Sequence, residues 1–318
     1  MTLTELKYIV AVARERHFGR AAEACFVSQP TLSVAIRKLE DELGIVIFER
    51  GGSEIGVTPV GERVIAQAHK VLQESAAIKQ IARVGHDPLA GPLRVGVIYT
   101  IGPYLLPRLI PKQIERTPQM PLILQENFTT RLIELLRQGE IDCAIMALPL
   151  PDSGLSTVAL YDEPFMVAMP AHHPWAERSE IDAEDLKQEN MLLLGSGHCF
   201  RDHVLGVCPE LSRYSDAPQG MQRTFEGSSL ETIRHMVAAG IGLTVMPVTS
   251  LMQHNDSESK LLKYVPFKDP APERRVVMAW RKSFPRMAAI RALVDTIHAI
   301  HLADVRMLEV PDGAMDEQ

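Results

Sequence analysis

Residues 21–44 read AAEACFVSQPTLSVAIRKLEDELG, and this stretch decides the fold of the first part of the chain. Ala21, Ala22 and Cys25 begin a short helix, with Cys25 on its core side. Val27 and Ser28 form a turn, and Ser28 is placed to cap the next helix, with Pro30 in its first turn. That helix carries Leu32, Ile36, Leu39 and Leu43 along one side at helical spacing. Upstream, Leu3, Leu6, Ile9, Val10 and Ala13 form a similar stripe that ends at Phe18-Gly19. Downstream, Ile45–Arg50 and Ile55–Val57 flank Gly51-Gly52 and read as a two-stranded ribbon. Thr58-Pro59 then opens a long helix to about Val84. Along it Val64, Ala68, Val71, Ser75, Ile78 and Ala82 alternate steps of four and three, as in a coiled-coil seam. The seam predicts dimerisation; an amphipathic helix packed on its own chain gives the same pattern.

Helix, turn, polar-headed helix and ribbon make a winged helix-turn-helix. Such a second helix enters the major groove by its N-terminal turn. Gln29, Pro30, Thr31 and Ser33 stand there, and three of them offer hydrogen-bonding groups suited to base edges or phosphates. Arg37 and Lys38, one turn on, suit phosphates, and Arg50 at the root of the ribbon suits the minor groove or a phosphate. The wing tip, Gly51-Gly52-Ser53-Glu54, is poor in basic residues, which reduces the wing's expected share of phosphate contact. A helical hairpin for protein contact is the alternative, and a polar helix start together with a wing argues against it.

The chain has 318 residues, enough for two or three domains. No apolar run is long enough to span a membrane, and charges interrupt the N-terminal apolar residues, so no signal peptide is expected. Four cysteines in this length are not a secreted disulfide framework, and a cytoplasmic location is expected. The net charge of −7 lies wholly in residues 91–318, since residues 1–90 carry eleven basic and eleven acidic residues. A neutral N-terminal segment still binds a phosphate backbone if its cations share a face.

After the linker Gly85–Pro92, strands and amphipathic helices alternate. LRVGVIYT, MPLILQENF and DCAIMAL read as strands between helices, then MLLLG, SSLETIRHMVAAG, IGLTVMP, RRVVMAW and AAIRALVDTIHAIHL follow. The alternation predicts an α/β domain with a parallel sheet. Thr100 and Thr129 follow the first two strands, at the carboxyl ends where ligands bind in such sheets. Cys143 falls inside a strand and is expected to be buried and inert. Within GSGHCFRDHVLGVCP, residues 195–209, Cys199 lies beside His198, Arg201 and His203, and Cys208 follows nine positions later. Thiolate is the reactive form of cysteine, and it is favoured by cations and helix N-termini. If a helix runs from Cys199 to Val207, the two α-carbons are about 13 Å apart. A disulfide needs about 7 Å or less, so the pair bonds only if the segment unwinds. Arg201 and Asp202 read as a surface pair. A metal site at Cys199, His198 and His203 is the rival reading, weakened because Cys208 is too far along the helix to join them.

Residues 21–44 resemble the winged helix-turn-helix of LysR-type transcriptional regulators, and the resemblance extends over nearly the whole chain. It implies a DNA-binding domain over 1–58, a linker and dimerisation helix over 59–86, and a two-lobed, periplasmic-binding-protein-like regulatory domain over 87–304. Residues 305–318 are expected to be a disordered tail. GHCFRDHVLGVC, SSLETIRHMV and NFTT are similar to the hydrogen-peroxide-sensing members of the family. On that resemblance Cys199 is the peroxidatic cysteine and Cys208 the resolving one. Thr100, Thr129 and His198 would hold peroxide or its leaving oxygen, with an arginine at the start of RRVVMAW near the sulfur, Arg274 rather than Arg275. The implied partners are promoter DNA, a second copy in a dimer or tetramer, RNA polymerase, and glutaredoxin or thioredoxin as reductant, with no membrane and no cofactor. A regulator answering to a small organic effector between the lobes, and a thiol peroxidase, are the other functions such a chain allows.

Overall fold

Local punctuation starts each helix of the N-terminal unit. In this computed structural model, which describes residues 1–49, 55–84, 87–151, 154–209, 224–227, 229–251 and 261–310, helix α1 (Leu3–Glu15) begins on a capping box. Thr2 Oγ1 accepts from the Glu5 N–H at 3.2 Å, and Glu5 Oε2 accepts from the Thr2 N–H at 2.7 Å. Helix α2 (Phe18–Ala24) is capped by His17, and α3 (Gln29–Leu43) by Ser28, whose Oγ accepts from the Thr31 N–H at 3.3 Å. Gly44, at φ 66°, ends α3 in the left-handed conformation that glycine adopts without strain. Leu32, Ile36 and Leu39 pack with Leu6, Ile9 and Val12 of α1, whereas Leu3 and Leu43 at the helix ends are exposed.

Strands β1 (Phe48–Glu49) and β2 (Gly56–Val57) pair antiparallel, a shorter ribbon than the sequence suggests; Arg50 and the wing tip lie outside the described residues. The buried carboxylate of Glu40 holds the ribbon to α3, accepting from the N–H of Ile47 at 2.7 Å and of Phe48 at 3.2 Å. Helix α4 (Pro59–Val84) follows. The start of the expected seam faces its own chain, with Ala68 buried and Val64 packed against the α1–α3 core. Farther along, Val71 and Ile78 are exposed, and the side chain of Ala82 lies outside the described residues.

The chain divides into two compact units, the first built on Met1–Gly85 and the second on His86–Leu136 and Ile141–Gln318. The second holds β3 (Leu93–Ile98), α5 (Gly102–Arg116), β4 (Leu122–Asn127), α6 (Thr129–Gln138), β5 (Cys143–Ala147) and β6 (Leu155–Pro170). It continues with β7 (Met191–Leu194), α7 (Cys199–Val207), β8 (Thr224–Gly227), α8 (Leu230–Ala238), β9 (Thr244–Pro247) and β10 (Leu262–Pro266). Strand β11 (Glu273–Arg281), helix α9 (Met287–His298) and β12 (Arg306–Met307) complete it.

Strand β3 pairs parallel with β4 and β5, as expected, but β11 runs antiparallel to both β5 and β6, so the sheet is mixed. The sixteen-residue β6 has no counterpart in the sequence reading. It is buried on both faces and so lacks the alternation that marks a half-exposed strand, and Asp162-Glu163-Pro164 interrupts its apolar run. Its first part, with β3, β5, β11 and α9, encloses one core; its last part, with β7, β9, α7 and α8, encloses another. These are two lobes threaded by one strand.

The expected disordered tail is corrected at its start. Arg306 pairs with Asp162 of β6, and Leu308 donates its N–H to the Leu160 carbonyl at 3.0 Å, so the chain stays anchored past Val305. Residues 311–318 lie outside the described residues.

Candidate functional site

Three strand ends deliver the groups of the regulatory site. Thr100 lies in the turn between β3 and α5, Thr129 is the first residue of α6 after β4, and Cys199 is the first residue of α7 after β7. Each stands beyond the carboxyl end of a strand, where an α/β sheet leaves its crevice. The first turns of α6 and α7 carry backbone N–H groups without helical partners, a setting that stabilises anionic charge. All three residues line one cavity of about 10 Å³, close to the room needed by a single water-sized molecule.

The two threonines differ sharply. Arg274 Nη1 donates to Thr100 Oγ1 at 2.8 Å, and its Nη2 donates to the Thr100 carbonyl at 3.0 Å. That bond occupies an acceptor site of the Thr100 hydroxyl and leaves its proton to be donated elsewhere. The Thr129 hydroxyl is buried without a hydrogen-bond partner. His198 is the N-cap residue of α7 by position, but its side chain makes no capping bond. Its ring instead packs edge-on against Phe128 at 4.8 Å and Tyr99 at 5.9 Å between centroids. Gly197 turns the chain into α7 at φ 97°, and a Cβ there would meet the Phe128 ring at 3.5 Å.

Arg274 is fully buried and is balanced by Glu163 of β6, which accepts from its Nε at 2.7 Å. The other Glu163 oxygen accepts from the backbone N–H of Thr249 at 3.0 Å and from the Thr249 hydroxyl. Arg274 also lies 5.1 Å from the ring centroid of Phe200, the residue after Cys199. Arg275 takes no part in this cluster: it pairs with Asp162, which Arg306 also engages. Those two cations hold the Asp162 carboxyl below the ordinary carboxylate range.

Cys208 caps the C-terminal end of α7 and is buried, and no disulfide joins any of the four cysteines. The helix runs over the full interval expected, so the two α-carbons stand about 13 Å apart by helical rise. Cys143 is fully buried in β5, and burial pushes its thiol up; Cys25 is half-buried against the N-terminal core. His203 is engaged elsewhere than a metal site, with Nε2 2.7 Å from the Leu148 carbonyl and its ring against Phe165 and Phe200. Burial lowers its pKa. Among the described residues no group of three His, Cys, Asp or Glu is placed to hold a metal ion. Arg201 is not a surface partner of Asp202; its Nη1 donates to the Leu194 carbonyl at 2.9 Å.

On the N-terminal unit, Gln29, Pro30, Thr31, Arg37 and Lys38 are exposed along α3 and Ser33 is half-buried. Phe26, in the turn before α3, is 95% exposed at φ 55° and was not singled out by the sequence pattern. Sequence reasoning also passes over Tyr99, Phe128 and Glu163. Only Glu163 carries a signal, a charge inside an apolar run that has to find a buried cation.

A winged helix-turn-helix followed by a long helix and a two-lobed α/β domain defines a LysR-type transcriptional regulator. Residues 3–62 match the family of bacterial regulatory helix-turn-helix proteins of the LysR type, and residues 86–300 match the LysR substrate binding domain. The chain belongs to the LysR family of DNA-binding transcriptional regulators. It is 39% identical over 297 residues to the hydrogen peroxide-inducible genes activator of Pectobacterium carotovorum, covering 93% of this chain and 96% of that protein. It is 38% identical over 299 residues to the DNA-binding transcriptional dual regulator OxyR of Escherichia coli K12, covering 94% and 95%. A full-length OxyR variant from Pseudomonas aeruginosa superposes with a TM-score of 0.73 at 51% identity, covering 98% of this chain and 99% of that one. No helix among the described residues is long and apolar enough to cross a membrane.

Proposed function

We propose that this regulator senses hydrogen peroxide through Cys199 and passes the signal to promoter DNA. The observation that carries the reading is the cavity in which Cys199 meets the unpartnered hydroxyl of Thr129 and the oriented hydroxyl of Thr100. Peroxide placed there accepts from the threonines. The Cys199 thiolate attacks one oxygen, the O–O bond breaks, and the leaving hydroxide takes a proton to become water. Thr100, Thr129 and His198 are the groups that would steady that departing oxygen. Cys199 is left as a sulfenic acid. The Cys208 sulfur then attacks it, a second water leaves, and a disulfide forms. Two thiols are oxidised and one peroxide is reduced to two waters. Similarity to the peroxide-inducible activators supports the same reading.

The separation of the two cysteines makes the disulfide a conformational event, because α7 has to unwind before they meet. The output is a changed grip on DNA, with Gln29, Pro30, Thr31 and Ser33 reading the groove, Arg37 holding phosphate, and Arg50 adding a contact from the wing. The exposed Val71 and Ile78 of α4 support self-association as a dimer, and the family pattern supports a tetramer. The remaining elements of the proposal are contact with RNA polymerase, reduction by glutaredoxin or thioredoxin, a cytoplasmic location, and signalling rather than turnover as an enzyme. Arg274 holds the Thr100 hydroxyl in place, and Glu163 balances its charge.

Mass spectrometry of the 195–209 peptide before and after substoichiometric peroxide tests the chemistry. The expected result is one Cys199–Cys208 disulfide per chain, and a trappable sulfenic acid in Cys208→Ser. A Cys199→Ser protein whose promoter footprint still responds to peroxide would sink the proposal.

A further inference from the structure

We propose that Tyr99 and Phe128 form a size filter over the Cys199 cavity, admitting hydrogen peroxide and excluding hydroperoxides that carry a bulky organic group. The inference rests on the peroxide reading of Cys199 and names the substrate class of that site. Its basis is a register shared by three loops. Tyr99 precedes Thr100, Phe128 precedes Thr129 and His198 precedes Cys199, so each loop delivers a ring and then a polar or reactive group. All six residues line the same cavity.

The three rings also contact one another. Tyr99 and Phe128 meet edge-to-face at 5.3 Å, Phe128 and His198 at 4.8 Å, and Tyr99 and His198 at 5.9 Å. Rings in mutual edge contact leave no channel for an alkyl or aryl group between them. Phe128 is backed by Gly197, where even a methyl group would reach van der Waals contact with the ring. Tyr99 is 39% exposed and is the outer member.

The space beside Cys199, about 10 Å³ and bordered by the three rings, matches one water-sized molecule, so hydrogen peroxide fits it without displacing them. There it meets the Thr100 and Thr129 hydroxyls that line the same cavity. An organic hydroperoxide would undergo the same attack, with an alcohol leaving in place of water. Its organic group, however, has to occupy the volume the rings now fill.

The test uses the full chain with Cys208→Ser, so that oxidation stops at the sulfenic acid. Formation of that species on the 195–209 peptide is timed with hydrogen peroxide and with cumene hydroperoxide, and free cysteine gives the intrinsic ratio. The expected preference for hydrogen peroxide exceeds the intrinsic ratio by about a hundredfold and falls about tenfold in Phe128→Ala or Tyr99→Ala. Tyr99 is exposed enough that its truncation keeps the test available if Phe128→Ala does not fold. A parent ratio equal to that of free cysteine overturns the filter, as does a preference that survives in the folded variants. If hydrogen peroxide itself leaves Cys199 unoxidised, the peroxide reading fails first and the filter with it.

Discussion

Thr129 holds a buried hydroxyl with no partner, an arrangement that costs stability unless a ligand uses it. Valine replaces the hydroxyl with a methyl of similar shape. Thr129→Val is therefore expected to match or slightly exceed the parent in denaturant stability, while Cys199 oxidation by peroxide slows by about three- to tenfold, the worth of one hydrogen bond. Stopped alkylation of the thiol measures the rate; an unchanged rate would remove Thr129 from the site. Thr100 should behave differently, because Arg274 donates to its hydroxyl and a valine there strands a buried guanidinium N–H as well. His203 gives a pH signature. Burial lowers its pKa, with the neighbouring Arg274 acting in the same direction and Asp202 and the Leu148 carbonyl opposing. A depressed native pKa means that the unfolded chain binds the proton first as pH falls. The stability from keeping the ring neutral is complete above the unfolded value of about 6.5 and is lost as pH drops from there toward the lower native value, by at most about 1.4 kcal/mol per pH unit. Denaturant melts between neutral and mildly acid pH should show a shallower loss for His203→Gln, which keeps a donor for Leu148. Equal slopes would mean that His203 is not the buried titrating group.

The recognition helix and the strand that threads the lobes sit at opposite ends of what a sequence discloses. Helix α3 is legible because its determinants are local: Ser28 caps it, Pro30 starts it and Gly44 ends it at φ 66°. Strand β6 is opaque because its neighbours are remote and bury both its faces, so only contacts across the fold explain Asp162 and Glu163 in an apolar run. The site divides along the same line. Thr100 and Thr129 are marked by their places after strands, and Cys199 by its cationic neighbours and its spacing to Cys208. The Arg274 bonds to Glu163 and Thr100 span 111 and 174 residues, and the ring contacts of Tyr99 and Phe128 with His198 are equally non-local. The ribbon offers a case of intermediate kind. Glu40 looks like one more charge on α3, yet its carboxylate accepts the two N–H groups that lead into β1. Glu40→Ala is expected to cost about 1.5–3 kcal/mol, as for hydrogen bonds to a charged group, and to loosen the wing before the helices. Amide hydrogen exchange would register it as lost protection at Ile47 and Phe48 with protection at Leu32 and Ile36 retained. Uniform loss across the unit would instead mark Glu40 as a general core support.

Coupling oxidation to a change in DNA contacts requires that the disulfide work against the native fold, and the same requirement sets its redox potential. Reduced α7 buries Phe200 and Val204 in the core of the second lobe. Bringing Cys199 and Cys208 within bonding distance unwinds the helix that presents them. Exposing those two side chains costs about 3–6 kcal/mol at about 1.5–3 kcal/mol each. For a two-electron couple about 1.4 kcal/mol corresponds to about 30 mV, so the cost raises the potential by roughly 65–130 mV. Structural disulfides lie below about −300 mV, so a Cys199–Cys208 bond is expected to lie above them by that amount, toward the range that glutathione-linked reductants can reset. Equilibration in glutathione buffers, read by mass spectrometry of the 195–209 peptide, gives the value. Val204→Ala should lower it, because less native burial is then surrendered on oxidation. A potential near that of a structural disulfide, insensitive to Val204→Ala, would mean that the bond forms without dismantling α7, and the helix would then transmit nothing to the DNA-binding unit.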